Sequence, residues 1–523
     1  MPRLTAAGRW PLLVLVGLAA LALAILPSLP APRAGAAGPE LRYFGSELKT
    51  LDPAFISDAA DVQLLLQLYA GLTRLDEEGE PYPSLAESWT VSDDGRTYEF
   101  VLREGLAFSD GTPLTADDVR RSWLRILDPA TGSTAPDVLS LIEGAPQRLA
   151  GGGEGDVAIR ADGLTLEVRL RHPAAYFTAI TATPSAFVVP PHADASSDWQ
   201  SVGDFVGSGP YVAQRMEGDT LFLQANELYV AGPPPIPVVE WLTDLDGDVP
   251  TAFVNDELDL AGIGSFDASW IAYDPELGPA LHPAAALGVQ YFGFDTTRSP
   301  FDDARVRRAF ALALDRPRLV ELADGSASTP ASSVVPPALW LDGVEDDHEH
   351  DPQEAARLLD EAGYADRDDL GTITVNGAGL NVAPAVATWR DLLGVDITVE
   401  GMEFRDYLAS LETNPPHVFT VNWIADYPSP HALYSLLLLP DAASNYGGWT
   451  DDAFVQLLEE ASSAEDEAEQ ARAYREVDAH VDAEVPVIPW SYATSWSLVR
   501  PGLRGLGNLT TGLLDFGRVS WDE

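Results

Sequence analysis

Apolar residues recur along this chain at two spacings, and each spacing predicts its own kind of element. In the first half the period is mostly two. Trp89 and Val91 precede Asp94-Gly95, and Tyr98, Phe100 and Leu102 follow it. That arrangement predicts a hairpin, because Asp-Gly suits the left-handed backbone of a tight turn. Leu164, Leu166, Val168 and Leu170 alternate after Asp162-Gly163 and predict a second hairpin over a half-buried sheet. Residues 207–226 predict strand, turn and strand, and residues 231–242 a proline-rich connector running into a strand. Two helices are also predicted in this half. One covers Asp61 to Asp76, with apolar positions at threes and fours and Gly71 marking its end. The other opens on the capping box Thr115-Ala-Asp-Asp and continues through Leu127.

The second half alternates helix and strand. Phe301–Ala323 predicts a helical region broken at Asp315-Arg316-Pro317. Residues 351–364 predict a helix with proline in its first turn and glycine at its end. Strand at 371–377, helix at 382–394, strand at 395–403, helix at 404–412 and strand at 416–424 follow. The alternation reads as α/β, whereas the hairpin-rich first half reads as α+β.

With 523 residues the chain is too long for one simple core, and two to four domains are expected. A composition 46% hydrophobic, with 13 Trp, 16 Tyr and 18 Phe, excludes wholesale disorder. The first residues are a targeting segment: Arg3 and Arg9, an uncharged apolar run from Trp10 to Leu26, then the small residues Ala34-Gly35-Ala36. Export is expected, the leader (1–36) being either cleaved as a signal peptide or kept as an N-terminal membrane anchor. The body of the chain is then extracytoplasmic, periplasmic or at the cell surface.

Charge narrows the partners. The 81 acids outnumber the 31 bases to give a formal net charge of -50, which repels nucleic acid. Acids spread over the whole chain read as a solvated shell suited to high salt. The absence of cysteine excludes disulfides, thiolate metal sites and a lipid-modified cysteine behind the leader.

The chain carries no catalytic signature: no G-x-S-x-G, H-E-x-x-H, phosphate loop or helix-opening G-x-G-x-x-G. His348-Glu349-His350 lacks further ligands for a metal, and Asp244, Asp246 and Asp248 lack calcium-loop spacing and read as an acidic turn. No catalytic residue, metal or cofactor is expected. A secreted hydrolase with an unmarked carboxylate pair is the alternative from another class. One stretch asks for an explanation: NWIADYPSP, Asn422 to Pro430, ends a predicted strand on an acid set among aromatics.

Residues 51–119 resemble, nearly position by position, the N-terminal signature of the oligopeptide/dipeptide-binding receptors of ABC importers, bacterial solute-binding family 5. GSGPYV, NELYVAGPPPIPVVEW, AFVNDELDLAGI, YFGFDTTRSPFDDARVRRAFALALDR, DPQEAARLLDEAGY, LGVDITVEGMEFRDYLASL and NWIADYPSPHALY resemble further blocks of that family in family order. The resemblance implies the type II (cluster C) periplasmic-binding-protein fold: two α/β lobes around a cleft, with an extra α+β domain inserted in the first lobe. It implies lobe one at 40–82, 201–292 and 488–523, the inserted domain at 83–200 and lobe two at 293–487. The hinge would lie at Tyr291, Phe292, Pro486 and Val487.

The resemblance also implies function: a receptor, not an enzyme, that closes on a peptide and passes it to the transmembrane subunits of an ABC permease, acting as a monomer. In peptide-binding members the aspartate of a W-x-A-D-Y block pairs with the ligand's α-ammonium. Here that aspartate is Asp426, with Asn422, Trp423 and Tyr427 beside it. A carboxylate in a closed cleft suits a group that every unmodified linear peptide carries, for about 1.5–3 kcal/mol. Capping the following helix is the competing role for Asp426. Ser57, Asp58 and Ala59 align with the segment whose backbone pairs with the peptide as an added strand. Thr420 stands where well-known peptide-binding members carry an arginine, which puts capture of a ligand carboxylate in doubt. A non-peptide ligand, such as a metal chelate, haem or oligosaccharide, is the alternative within the fold.

Overall fold

The computed structural model describes residues 40–522 apart from 46, 57–58, 77–78, 195–200, 325–327, 341–348, 378–380, 465–466 and 508–512. The leader, Ser57, Asp58 and His348 lie outside the described residues.

An eleven-stranded mixed sheet forms the backbone of the molecule. Its order is Asp396–Glu400, Thr372–Asn376, Val418–Ile424, Leu281–Phe294, Val487–Val499, Leu260–Ile263, Leu41–Phe44, Val238–Leu242, Thr220–Ala225 and Tyr211–Glu217, with Thr329–Pro330 pairing on Val487–Val499. Two strands are far longer than the rest. Leu281–Phe294 and Val487–Val499 run antiparallel, and each belongs to both halves of the sheet. On one side the pair meets the lobe-one strand Leu260–Ile263, and on the other the lobe-two strand Val418–Ile424.

The pairing of these two long strands is interrupted. It runs from Leu281↔Leu498 to Ala285↔Thr494, breaks, and resumes at Val289↔Tyr492. Tyr291, Phe292 and Val487 sit beyond the break, inside the lobe-two ladder, paired with Pro489, Ile488 and Gly293, and Pro486 is buried just before it. A laddered strand resists bending, whereas an unpaired stretch leaves its φ and ψ free to change. The register shifts a second time between Gln290 and Tyr291, next to the Tyr291 and Phe292 expected at the hinge.

Each lobe has its own core. Phe292, Phe294, Phe310, Trp389 and Trp490 pack in lobe two, and Leu41, Leu65, Tyr211, Trp241 and Phe516 in lobe one. Each such buried side chain contributes about 1.5–3 kcal/mol relative to exposure. A separate four-stranded antiparallel sheet holds Ala86–Val91, Thr97–Leu102, Thr165–Arg169 and Ile159–Asp162, the two hairpins of the sequence pattern. The glycines of both Asp-Gly turns have positive φ, as the turn chemistry requires. Helix Ala116–Ile126 covers this sheet and starts on the expected capping box, with Asp118 accepting from Thr115 N–H at 2.9 Å. Arg125 on that helix reaches back to lobe one, where its guanidinium donates to both oxygens of buried Asp52 at 2.9 and 2.5 Å.

The expected helix 61–76 is shorter than its pattern. The helix is Ala59–Leu68, and Thr73–Leu75 pairs instead with Pro81–Pro83. Gly71 has another reason to be glycine: a Cβ there would lie 2.0 Å from the Thr181 carbonyl oxygen. The chain leaves the helix because the GSG loop packs onto its end. Gly209 N–H donates to Leu68 O at 3.0 Å, and Ala70 N–H donates to the Ser208 hydroxyl at 3.0 Å. This turn delivers residues 69–75 to the face that looks across at lobe two.

Candidate ligand-binding site

Strand Val418–Ile424 ends in a short loop, 425–429, before helix Pro430–Leu438. Asp426 is in that loop. The helix is capped by Ser429, whose hydroxyl accepts from His431 N–H at 3.2 Å. Capping is therefore not the work of Asp426. Its carboxylate has no hydrogen bond or ion pair among the described residues, and it faces a recess walled by Val62, Leu66, Tyr69, Arg74 and Phe187 from the far side.

Asp426 is exposed by surface area. Desolvation nevertheless pushes its pKa up to about 6, with no cation countering the shift. Its side chain is thus open to solvent on one side and crowded by protein atoms on the other. The recess has a cavity volume of about 60 Å³, room for a few waters or one ammonium group. A larger ligand has to extend beyond it or part the lobes.

The neighbours of Asp426 divide by role. Asn422 is exposed, across the ladder from Gln290. Trp423 is half-buried, and its indole N–H is a buried donor without a partner among the described residues. Tyr427 is buried and turned away from solvent. It stacks on Tyr176 of the four-stranded-sheet region, with centroids 5.3 Å apart at 11°. Tyr176 also stacks on His431 at 4.4 Å, and both tyrosine hydroxyls reach that imidazole, Tyr427 to Nδ1 at 2.9 Å and Tyr176 to Nε2 at 3.2 Å. Burial pushes the His431 pKa down to about 3, so the ring is neutral and donates to one hydroxyl while accepting from the other. Ala59 opens the helix Ala59–Leu68 and is exposed. Thr420 is buried and donates its hydroxyl to Tyr291 O at 2.9 Å, so no charge stands at that position.

Arg74, Asp515, Tyr176 and His431 escape the sequence reading. Arg74 is buried and ion-paired to Asp515 at 3.1 Å, and the pair borders the recess. His431 is invisible because its partner Tyr176 lies 255 residues away. The acidic turn expected at Asp244, Asp246 and Asp248 leads into a helix: Asp248 caps Val249–Val254 through Thr251 N–H at 2.8 Å; Glu349 pairs with Arg308. Among the described residues no group of three or more His, Cys, Asp or Glu is placed to hold a metal ion.

The model of the bacterial extracellular solute-binding proteins, family 5 (middle region), matches residues 80–445. The chain belongs to this family. Its two lobes, cleft and inserted domain are the type II periplasmic-binding-protein fold, and its family is one of binding proteins found outside the cytoplasm. It is 30% identical over 484 residues to the probable deoxycholate-binding periplasmic protein YgiS of Escherichia coli (strain K12), covering 88% of this chain and 89% of that one. It is 28% identical over 495 residues to the periplasmic oligopeptide-binding protein OppA of Salmonella typhimurium (strain LT2), covering 89% of each. Among solved structures, OppA of Haemophilus influenzae in complex with RPPGFSPFR superposes with a TM-score of 0.78 at 22% identity, over 92% of this chain and 99% of that one.

Proposed function

We propose that this protein is an extracytoplasmic receptor that captures a peptide by its free α-ammonium and delivers it to an ABC permease. The observation that carries the reading is the unpaired carboxylate of Asp426 facing the recess. Holding a charge there without a partner costs free energy, which the raised pKa expresses. A ligand ammonium supplies the missing partner and makes a charge-assisted hydrogen bond. The unpaired indole N–H of Trp423 offers a donor to a ligand carbonyl beside it. Closure of the lobes over the ligand excludes water and strengthens both contacts. The lobes pivot where the pairing of the two long strands shifts register, at Ala285/Val289 and Gln290/Tyr291, and no bond in the ligand is made or broken. Similarity to an oligopeptide-binding protein supports the peptide as ligand class.

A second reading has its own support. One relative is named as probably binding deoxycholate, an amphipathic anion, and Val62, Leu66, Tyr69 and Phe187 give the recess an apolar wall. Calorimetry separates the two. Binding of a peptide that weakens tenfold or more on N-acetylation supports ammonium capture. Binding of deoxycholate with no response to any peptide establishes the second reading instead. Native mass spectrometry of the exported protein identifies what it carries, and cleavage of a bound peptide into fragments on prolonged incubation establishes a hydrolase.

A further inference from the structure

A second recess of about 270 Å³ lies beyond the Arg74–Asp515 pair, between Thr73–Leu75 with Pro81–Pro83, the 229–231 loop and the C-terminal turn at 515–518. Three guanidiniums line it, those of Arg74, Arg103 and Arg518, in a chain whose formal charge is -50. Asp515 is the one acid in its lining among the described residues. Its Oδ1 is already committed, to Arg74 at 3.1 Å and to Gly517 N–H at 2.9 Å.

The other two cations have no acidic partner among the described residues. Arg103 donates Nε–H to Ser84 O at 2.8 Å, and its terminal nitrogens bond to nothing else among those residues. Arg518 is exposed and lies over the Tyr82 ring, 4.7 Å from its centroid. Ser84 also lines the recess; it is 3% exposed, and its hydroxyl is buried without a hydrogen-bond partner among the described residues. Two unneutralised guanidiniums, an unsatisfied hydroxyl and a concave space lack a common counterpart, and an oxyanion supplies it.

We propose that this recess binds a small oxyanionic group, a carboxylate or a phosphate, held by the terminal nitrogens of Arg103 and Arg518. The position borders Arg74, which also borders the Asp426 recess. The oxyanion thus has two sources: a free anion, or the acidic end of the molecule held at Asp426. The assignment rests on the arginines and stands whether or not the cleft ligand is a peptide.

The test uses the full-length exported protein and inorganic phosphate, followed by calorimetry and by melting temperature against chloride at equal ionic strength. Phosphate binds and raises the melting temperature; Arg518→Gln, on an exposed side chain, weakens binding at least tenfold without lowering the melting temperature in chloride. Arg103→Gln weakens binding equally, and Asp426→Asn leaves phosphate binding unchanged. Phosphate that persists with peptide bound marks a free-anion site. Displacement by a peptide with a free C-terminus, but not by its C-terminal amide, marks the ligand's own end. The proposal is overturned if phosphate does not bind and free acids bind no better than amides, or if the arginine variants bind like the parent.

Discussion

Tyr176 and His431 stack face to face, 4.4 Å between centroids and 19° between planes, although one follows the four-stranded sheet and the other begins a lobe-two helix. Tyr427 extends the stack, and the buried core of the four-stranded-sheet region continues into a second buried cluster of lobe two, around Tyr434, Leu437 and Phe454. The next residue to Tyr427 is Asp426. A contact between the two bodies is therefore built into the loop that carries Asp426, and opening the cleft on that side has to separate the rings.

Tyr176→Ala removes the central ring. Aromatic pairs contribute about 0.5–1.5 kcal/mol beyond the area they bury, and both stacking contacts of Tyr176 are lost. The ligand-free variant is expected to open further, with a larger radius of gyration in small-angle scattering, and to bind ligand about tenfold more weakly. Equal scattering and equal affinity in variant and parent would show that the stack does not hold the cleft.

Asp426→Asn keeps the shape and removes the charge. Peptide affinity is expected to fall tenfold or more, about 1.4 kcal/mol. The same variant melts slightly higher than the parent without ligand at pH 7. The sign follows from linkage: a carboxylate whose folded pKa is raised binds more protons folded than unfolded, so it costs stability as pH rises from about 4 through 6. In the parent, affinity for a peptide is full above about pH 6 and declines as Asp426 takes up its proton below it. The asparagine variant shows no such decline.

His431 responds to acid in the same direction through another route. Its folded pKa of about 3 lies below the ordinary 6.5 because the ring is buried. A form in which the stack is broken regains the ordinary value and gains the proton as pH falls through 6.5; above that pH the difference vanishes. At pH 5 the bias toward the open form is at most about 2 kcal/mol. His431→Phe keeps an aromatic ring and cannot titrate. Scattering from pH 7 to 5 should show opening in the parent and none in this variant.

Gly209 sets the lobe-one wall. A Cβ there would lie 2.3 Å from Tyr69 N and 2.4 Å from Leu68 C, both backbone atoms that cannot step aside. Gly209→Ala is expected to destabilise by about 3 kcal/mol and to disturb the turn that presents residues 69–75. A Cβ at Gly155 would meet nothing within 4 Å, and Gly155→Ala should melt like the parent. Chemical denaturation of the pair checks both.

Salt should stabilise the whole molecule. At a formal charge of -50, self-repulsion is strong in dilute buffer and is screened within about 3 Å at 1 M salt. The melting temperature is expected to climb steeply from millimolar to molar potassium chloride. A flat response would show that the acidic surface is neutral in its effect on stability.

The hairpins, the capped helix at 116 and the alternating elements of lobe two could be read from the chain because their signals are local: Asp-Gly turns, period-two strands, a threonine three residues before an aspartate. The helix beginning at Ala59 is shorter than its pattern for the opposite reason. Its run of leucines continues past Leu68, and only the GSG loop, 138 residues on from Ala70, turns the backbone aside. The long strands carry no mark of where their pairing lapses, since register is a property of two strands.

Asp426 could be singled out in the chain as an acid among aromatics at the end of a strand, and its family block gave it a role. Whether such an acid caps a helix, pairs with an arginine or waits for a ligand depends on what surrounds it. Sequence alone determined which residues form the elements and that a carboxylate ends one of them, because propensity, turn chemistry and periodicity act over a few residues. Tertiary structure decided that Ser429 takes the cap, that Arg74 is spent on Asp515, and that Tyr176 stacks across on Tyr427 and His431, because solvation and charge pairing are set by atoms brought together from distant parts of the chain.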